Sequence, residues 1–195
     1  MRNPIRLKNL RLRFALIYLL GGLAVLFLRP HPISLGVGGG LVILGALLRG
    51  WGAGHLVKND CLTVTGPYAH LRHPLYAGTL LVGMGFAVIA GGATSLLLIA
   101  ALLPWFFMLY FPRKEQVESE RLELLYGDRY ARYRDSVPAL VPALRAWHPA
   151  DSDDLAPELG RSWNSRRYVD NNELGTLIAL LVGLLVFGLR SQFGP

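Results

Sequence analysis

The chain has 195 residues, of which 52% are hydrophobic, and a mean hydropathy of +0.37. That is the length of one domain with too much apolar content for an ordinary soluble one. The formal net charge of +7 would suit a nucleic-acid binder, but the cations are grouped in the segments between apolar blocks rather than spread over one face, so the reading turns to a membrane and away from nucleic acid.

A helix crossing about 30 Å of hydrocarbon needs roughly 20 apolar residues. In chain order, Phe14–Leu28 is the first run, closed by Arg29-Pro30. Its basic start is signal-peptide-like, but Arg29-Pro30-His31-Pro32 offers no small-residue cleavage site, so an uncleaved span is expected. Ile33–Leu48 is the second run, followed by Arg49 and a glycine-rich extension to Val57. From Leu75 to Phe111 there is no charged residue. As one helix this stretch would be about 55 Å long at about 1.5 Å per residue, so it must hold two spans. Gly91-Gly92 is the break, since glycine permits the turn. Leu174–Leu189 is the last run. The short runs end in arginines whose side chains can reach the headgroups.

The expected architecture is an all-α integral membrane protein of about five transmembrane helices with a cytoplasmic amphipathic helical cap. The organisation that follows is an N-terminal transmembrane hairpin (1–57), a core holding spans three and four with their flanking segments (58–147), a polar linker (148–172) and a C-terminal transmembrane helix (173–195). Lys and Arg concentrate before span one, between spans two and three, and between spans four and five, whereas the loops of opposite parity hold Arg29 and Arg190. This is the positive-inside pattern and places the N-terminus and both long loops in the cytoplasm, in an inner or plasma membrane. The single cysteine, Cys61, allows no intramolecular disulfide.

Between the spans, Leu62–Thr65 favours extended chain and Gly66-Pro67 breaks it. Residues 113–135 have helical periodicity: Val117, Leu124, Leu125 and the row Tyr126, Tyr130, Tyr133 recur at spacings of three, four and seven among Arg and Glu. This reads as an amphipathic surface helix interrupted at Gly127-Asp128. Val137-Pro138 and Val141-Pro142 end it in extended chain.

Chemistry should collect where polar residues gather at span ends. One cluster, Gly66 to Gly78, enters span three; another, Arg113 to Glu120, leaves span four. A turn at 91–92 makes those spans an antiparallel hairpin and brings both clusters to one membrane face. Together they offer cationic or neutral donors (His70, Arg72, His73, Arg113), carboxylate acceptors (Glu115, Glu118, Glu120) and aromatic hydroxyls (Tyr68, Tyr76). A bland reading also fits these residues: headgroup contacts for Arg72 and His73, and a solvated helix face for the glutamates. Gly83-Met84-Gly85 reads as helix packing, His31 and His55 as structural, and no His, Cys and carboxylate set stands at metal-ligand spacing.

The runs Gly66-Pro67-Tyr68 and Arg72-His73-Pro74-Leu75-Tyr76-Ala77-Gly78 resemble the "GPY…RHPxYxG" signature of the isoprenylcysteine carboxyl methyltransferases and related phospholipid methyltransferases. Glu118, Leu122, Tyr126-Gly127, Tyr130, Tyr133, Val137-Pro138 and Pro142 resemble the family's second signature, "EExxL…FGxxYxxY…VP…P". The family has two adjacent glutamates where this chain has Glu118-Ser119; Glu120 stands one place further, about 100° around the helix.

The resemblance implies S-adenosylmethionine as cofactor, bound at the cytoplasmic face in a pocket closed by the C-terminal segment. It implies a lipophilic methyl acceptor entering from the membrane lipid. Carried over by position, Tyr68, His70, Arg72, His73, Tyr76, Gly78 and Glu118 would bind the cofactor, with Arg113 and Glu118 as the catalytic pair and Arg113 orienting an anionic acceptor. A carboxylate or thiolate acceptor needs no general base; an amine or alcohol would need one, with His70 or His73 nearest. Two other readings stand beside this one: a non-catalytic membrane relative that binds lipid or a partner protein, and a small transporter. Oligomeric state is not readable from the sequence.

Overall fold

A computed structural model of the chain describes residues 28, 30–57, 61–148 and 162–192. The expected first span, Phe14–Leu28, lies outside the described residues except for Leu28, as do residues 149–161 of the polar linker.

Helix α1 (Pro32–His55) begins at a proline, whose fixed φ suits a first turn. His31 caps it, its Nδ1 accepting from Ile33 N at 3.3 Å. A short 3-10 turn, Gly66–Ala69, follows. Gly66 has φ +61°, and a Cβ there would lie 2.6 Å from the His55 ring, so both conformation and space require glycine. Helix α2 (Pro74–Ile89) again starts at a proline. The chain then turns at Gly91 and Gly92, both at positive φ, where the sequence predicts the break. Helix α3 (Gly92–Pro104) runs through a π-helical stretch, Trp105–Tyr110, into α4 (Phe111–Tyr126). Pro112 explains the wide turn: its ring would collide with a carbonyl one α-turn back, and the i→i+5 spacing (Phe111 N to Phe106 O) relieves the crowding. After Gly127 (φ +50°) come α5 (Asp128–Ser136), α6 (Ser165–Asp170) and α7 (Glu173–Gln192).

Among the described residues, three helical stretches are long and apolar enough to cross a membrane: Pro32–His55, Gly92–Tyr126 and Glu173–Gln192. The 16-residue α2 is a shorter apolar helix beside them. The described residues contain no strand. Four of the five expected spans thus appear as apolar helices, in an all-α membrane protein. The surface helix expected at 113–135 takes a different form. Residues 113–126 continue the fourth apolar helix, and at about 1.5 Å per residue its 35 residues overshoot the hydrocarbon by a charged turn or more. Only α5 folds back. It is held to α4 by the Ser119–Tyr130 hydroxyl pair at 2.7 Å and by Arg134 Nη1 on Glu123 at 3.3 Å.

In lipid, helices gain little from apolar burial and associate through close packing of small residues. The α1–α2 crossing shows this. Gly38 meets Gly85, Gly45 meets Gly78, and Gly52 meets Pro74. A Cβ on Gly38 would sit 2.5 Å from the Gly85 carbonyl oxygen, and one on Gly45 would sit 2.6 Å from that of Gly78. The seven-residue repeat on α1 therefore sets how closely α1 approaches α2, and it fixes where α2 delivers His73 and Tyr76.

Helix α7 is tied to this pair by a bidentate ion pair. Arg49 Nε donates to Glu173 Oε2 at 3.1 Å and Nη2 donates to Glu173 Oε1, while Nη1 reaches Leu75 O at 3.3 Å. Glu173 is buried, and a carboxylate in that position requires such a partner.

Gly38→Ala is expected to destabilise the detergent-solubilised protein by about 1–3 kcal/mol through overpacking. Gly40→Ala, where an added Cβ meets nothing within 4 Å, is expected to leave it unchanged or slightly more stable. Thermal unfolding of the two variants checks this; equal melting temperatures would contradict the crossing described.

Candidate active site

The site is built where residues 68–73 meet residues 133–147. Arg72 N donates to Pro138 O at 2.9 Å, His73 N to Ala139 O at 3.0 Å, Ala143 N to His70 O at 2.8 Å and Trp147 N to Ala69 O at 2.8 Å. Side chains add to the clamp. Tyr133 Oη donates to Tyr68 O at 2.7 Å, Arg72 Nε to Val137 O at 3.0 Å and His70 Nδ1 to Ala143 O at 2.9 Å. Val64, Tyr130, Tyr133 and Val137 form a buried cluster beneath it, with Leu62, Leu122, Tyr126 and Trp147 packed around. The tyrosine row is therefore a core face. Val117 and Leu124 do not join it and remain exposed, because the break at Gly127 splits the 113–135 periodicity into two helices with different faces.

The α2–α3 hairpin brings the second polar cluster alongside. Arg72 Nη2 pairs with Glu115 Oε1 at 2.9 Å. His73 Nε2 stands 3.8 Å from Glu115 Oε1 and Nδ1 stands 3.8 Å from Glu118 Oε2, both beyond hydrogen-bond reach. Burial, and then the neighbouring Arg72 charge, lower the His73 pKa to about 4, so the ring is neutral at pH 7 and these contacts are not ion pairs. The Tyr76 hydroxyl hydrogen-bonds Glu118. Burial raises the Glu118 carboxyl above its ordinary range, opposed by that hydrogen bond and by Arg121 and Lys114. Burial also pushes the hydroxyls of Tyr68 and Tyr133 well upward, so both stay protonated.

Aromatic rings form a wall at the membrane end. Phe111 lies 5.4 Å from His73 and 6.1 Å from Tyr76, and Tyr110 lies 6.0 Å from Tyr76, in edge-on arrangements. The π-helical turn that precedes Pro112 presents Tyr110 and Phe111 to the site together.

Two cavities meet at Glu118. A cleft of about 700 Å³ is lined by Tyr76, Arg113, Lys114, Glu118 and Arg121 on its polar side, with Leu56, Val117, Leu122 and Leu125 among its apolar walls. A pocket of about 50 Å³ lies among Tyr68, Arg72, His73, Glu118 and Tyr133. Two buried atoms there, Arg72 Nη1 and His73 Nε2, have no hydrogen-bond partner among the described residues.

Of the residues singled out in the sequence, Tyr68, Arg72, His73 and Glu118 line the small pocket, and Tyr76, Arg113 and Glu118 line the large cleft. Two lie elsewhere. Gly78 packs against Gly45 O and the Arg49 stem in the helix crossing. His70 belongs to the clamp, with Trp51 6.4 Å away, and lines neither cavity. Ser119 points to Tyr130, and Glu120 is exposed and accepts from Gln116 at 2.9 Å. Glu120 therefore does not move into the place of the second glutamate. The Arg72 partner Glu115 and the cleft residues Lys114 and Arg121 carry no motif of their own; their signal was their position one or two helical turns from Glu118.

The sequence model of the phospholipid methyltransferase family matches residues 48–129, which contain the lining of the large cleft and of the small pocket apart from Tyr130 and Tyr133. Over this core the chain is similar to the phospholipid methyltransferase family and to isoprenylcysteine methyltransferases. It is 32% identical over 117 residues to a protein-S-isoprenylcysteine O-methyltransferase of Schizosaccharomyces pombe, a match covering 54% of this chain and 48% of that one. It is 33% identical over 117 residues to the cobalt-zinc-cadmium resistance protein CzcN of Cupriavidus metallidurans, covering 59% and 51%. It is 30% identical over 114 residues to protein-S-isoprenylcysteine O-methyltransferase B of Arabidopsis thaliana, covering 52% and 56%. The chain thus spans about half the length of the curated relatives it matches. No solved structure matches it. Among the described residues, no group of three or more His, Cys, Asp and Glu could hold a metal ion. In this core, the intact first motif supplies the buried donors, and the second supplies Glu118 and the tyrosines of the clamp.

The lowered His73 pKa has a consequence for stability. Between pH 6.5 and about 4 the unfolded chain binds a proton that the folded chain does not, so stability is full above that window and falls as pH drops through it. The shift corresponds to about 3 kcal/mol at most. His73→Gln is expected to flatten this part of the profile. Denaturation midpoints at pH 7.5 and pH 5 check it; an unchanged slope in the variant would contradict the buried neutral ring.

Proposed function

We propose that the chain is an S-adenosylmethionine-dependent methyltransferase whose acceptor is a lipophilic, membrane-associated anion, with the site on the cytoplasmic face. The observation that carries this reading is the pair of buried, partnerless atoms Arg72 Nη1 and His73 Nε2, on side chains that line the small pocket together with Glu118. A buried polar atom left unsatisfied costs about 1–3 kcal/mol, so such atoms mark where polar groups of a ligand belong.

The donor set fits S-adenosylmethionine. Arg72 and His73 suit a carboxylate, Glu118 suits an ammonium or sulfonium charge, and the ring of Tyr76, which lines the cleft, suits a cation or a flat base. When bound, this cofactor supplies a methyl group on a positively charged sulfur that leaves readily. The protein then has to align the acceptor with that methyl and keep water out. Arg113 and Lys114 would hold the acceptor's anionic end, and the apolar cleft walls Leu56, Val117, Leu122 and Leu125 its hydrophobic part.

The geometry also narrows the acceptor chemistry. A buried imidazole with a pKa near 4 is a weak base, and His70 lies outside both cavities. The cleft therefore suits an acceptor that arrives already as a carboxylate or thiolate, which needs no proton removed. The names of two relatives, protein-S-isoprenylcysteine O-methyltransferases, agree with a carboxylate on a lipophilic carrier. The positive-inside distribution of Lys and Arg supports the cytoplasmic placement.

Ser119, turned to Tyr130 where the family has an acid, favours a second reading: a relative that keeps the site and does not turn over. Calorimetric titration of the detergent-solubilised protein with S-adenosylmethionine, followed by labelled-methyl transfer into a membrane lipid extract, separates the two. Binding is expected, weakened about tenfold or more by Glu118→Gln and by Arg72→Gln, each of which removes a charge-assisted contact, and unaffected by Glu120→Gln. Binding without transfer to any component would leave the second reading; no binding by the unsubstituted protein would sink the proposal.

A further inference from the structure

Helix α7 lies beyond the family match, which ends at residue 129, and it forms a further cavity with α1. The two helices approach at two places. At one, a Cβ on Gly39 would stand 3.9 Å from Leu184. At the other, Arg49 holds Glu173, and a Cβ on Gly50 would stand 3.2 Å from the Tyr168 ring. Between these contacts the helices part and leave a groove of about 430 Å³. Its walls are apolar, with Val42 and Ala46 on α1 and Leu177 and Leu181 on α7. It shares no lining residue with the reaction cleft.

The dimensions point to one occupant. Gly39 and Gly50 are eleven residues apart on α1, about 16 Å along the axis, which is close to one leaflet's half of about 30 Å of hydrocarbon. Trp51, Trp163 and Tyr168 close the end of the groove nearest the ion pair. Trp163 Nε1 donates to Gly50 O at 3.0 Å and Tyr168 Oη to Glu173 O at 3.3 Å. Rings with an apolar body in the groove and a bonded polar tip are typical of the hydrocarbon–headgroup boundary. At that same end, the short helix α6 that carries Tyr168 also carries Arg166 in its exposed first turn and Arg167 beside it. Arg49 is committed to Glu173, so among the described residues Arg166 and Arg167 of α6 are placed to meet a headgroup.

We propose that this groove binds one acyl chain of an anionic phospholipid, with the headgroup phosphate held by Arg166 and Arg167. A zwitterionic lipid could place a chain in the same slot, but two cations at a headgroup level favour a net negative charge. The site would anchor α6 and α7, and through the Arg49–Glu173 pair and Asn171 Nδ2, which donates to Ala53 O at 2.8 Å and Leu56 O at 3.2 Å, it would steady the end of α1 that contributes Leu56 to the reaction cleft.

Native mass spectrometry of the full chain, delipidated in detergent and offered dioleoylphosphatidylglycerol or dioleoylphosphatidylcholine, tests the site. The expected result is one retained phosphatidylglycerol per chain, preferred about tenfold over phosphatidylcholine. The double variant Arg166→Gln, Arg167→Gln should lose the preference while still retaining lipid, and Leu181→Trp should fill the groove and lose both lipids. Arg166 is exposed, and Arg167 is half-buried with its Nη1 donating to Ser162 O at 3.1 Å, a contact outside the groove lining, so the double variant carries the test even if Leu181→Trp does not fold. Equal retention of the two lipids by the unsubstituted chain would overturn the proposal. So would a preference that survives in the double variant, or undiminished binding in a folded Leu181→Trp.

Discussion

The site depends on the docking of residues 133–147 onto residues 68–73. Neither segment has regular secondary structure along its whole length, and the described residues contain no strand. Each segment therefore satisfies its backbone groups on the other, through four backbone–backbone bonds and three involving side chains. Buried backbone polar groups must be paired, and this pairing determines where Arg72 and His73 stand. With Arg72 Nε committed to Val137 O and Nη2 to Glu115, its Nη1 is left over, on a side chain that lines the small pocket. The proposed function rests on that remainder.

The membrane helices supply the frame for the clamp. The glycine contacts of α1 and α2 fix the position at which α2 starts, and Pro74 begins that helix directly after His73. The turn at Gly91-Gly92 returns the chain so that α4 leaves the apolar region beside the same end. The wide turn ahead of Pro112 then sets the face on which Glu115 and Glu118 emerge, and brings Tyr110 and Phe111 against Tyr76 and His73. Removing any one of these three devices would leave both motifs intact in sequence but no longer opposed in space.

Much of this was legible in the sequence because it rests on length and composition. The uncharged stretch from Leu75 to Phe111 could only be two helices, and the glycine pair at 91–92 could only be their turn. From that hairpin it followed that Arg72 and His73 would face the acids after Phe111, as the Arg72–Glu115 pair shows. The motif order added the family resemblance. What was not legible depended on geometry that periodicity does not encode. Gly78 falls within the first signature, but its place is set by the closeness of Gly45. His70 appears as a candidate base, but its Nδ1 is taken by Ala143 O from a segment 73 residues away. The interruption at Gly127-Asp128 was legible, but not that this one residue at φ +50° turns the chain back onto α4 through Ser119 and Tyr130. The partnership of Arg49 with Glu173, 124 residues apart, has no local signal beyond two charges at the ends of apolar runs.

Hydrogen–deuterium exchange of the full chain, read at the backbone amides of Arg72, His73, Ala143 and Trp147 with and without S-adenosylmethionine, tests most directly whether the clamp makes the site. The account predicts that these four amides, which come from two distant segments, are protected to a common extent and slow together when the cofactor is added. Independent exchange of the two segments, or cofactor-induced slowing confined to other parts of the chain, would contradict it.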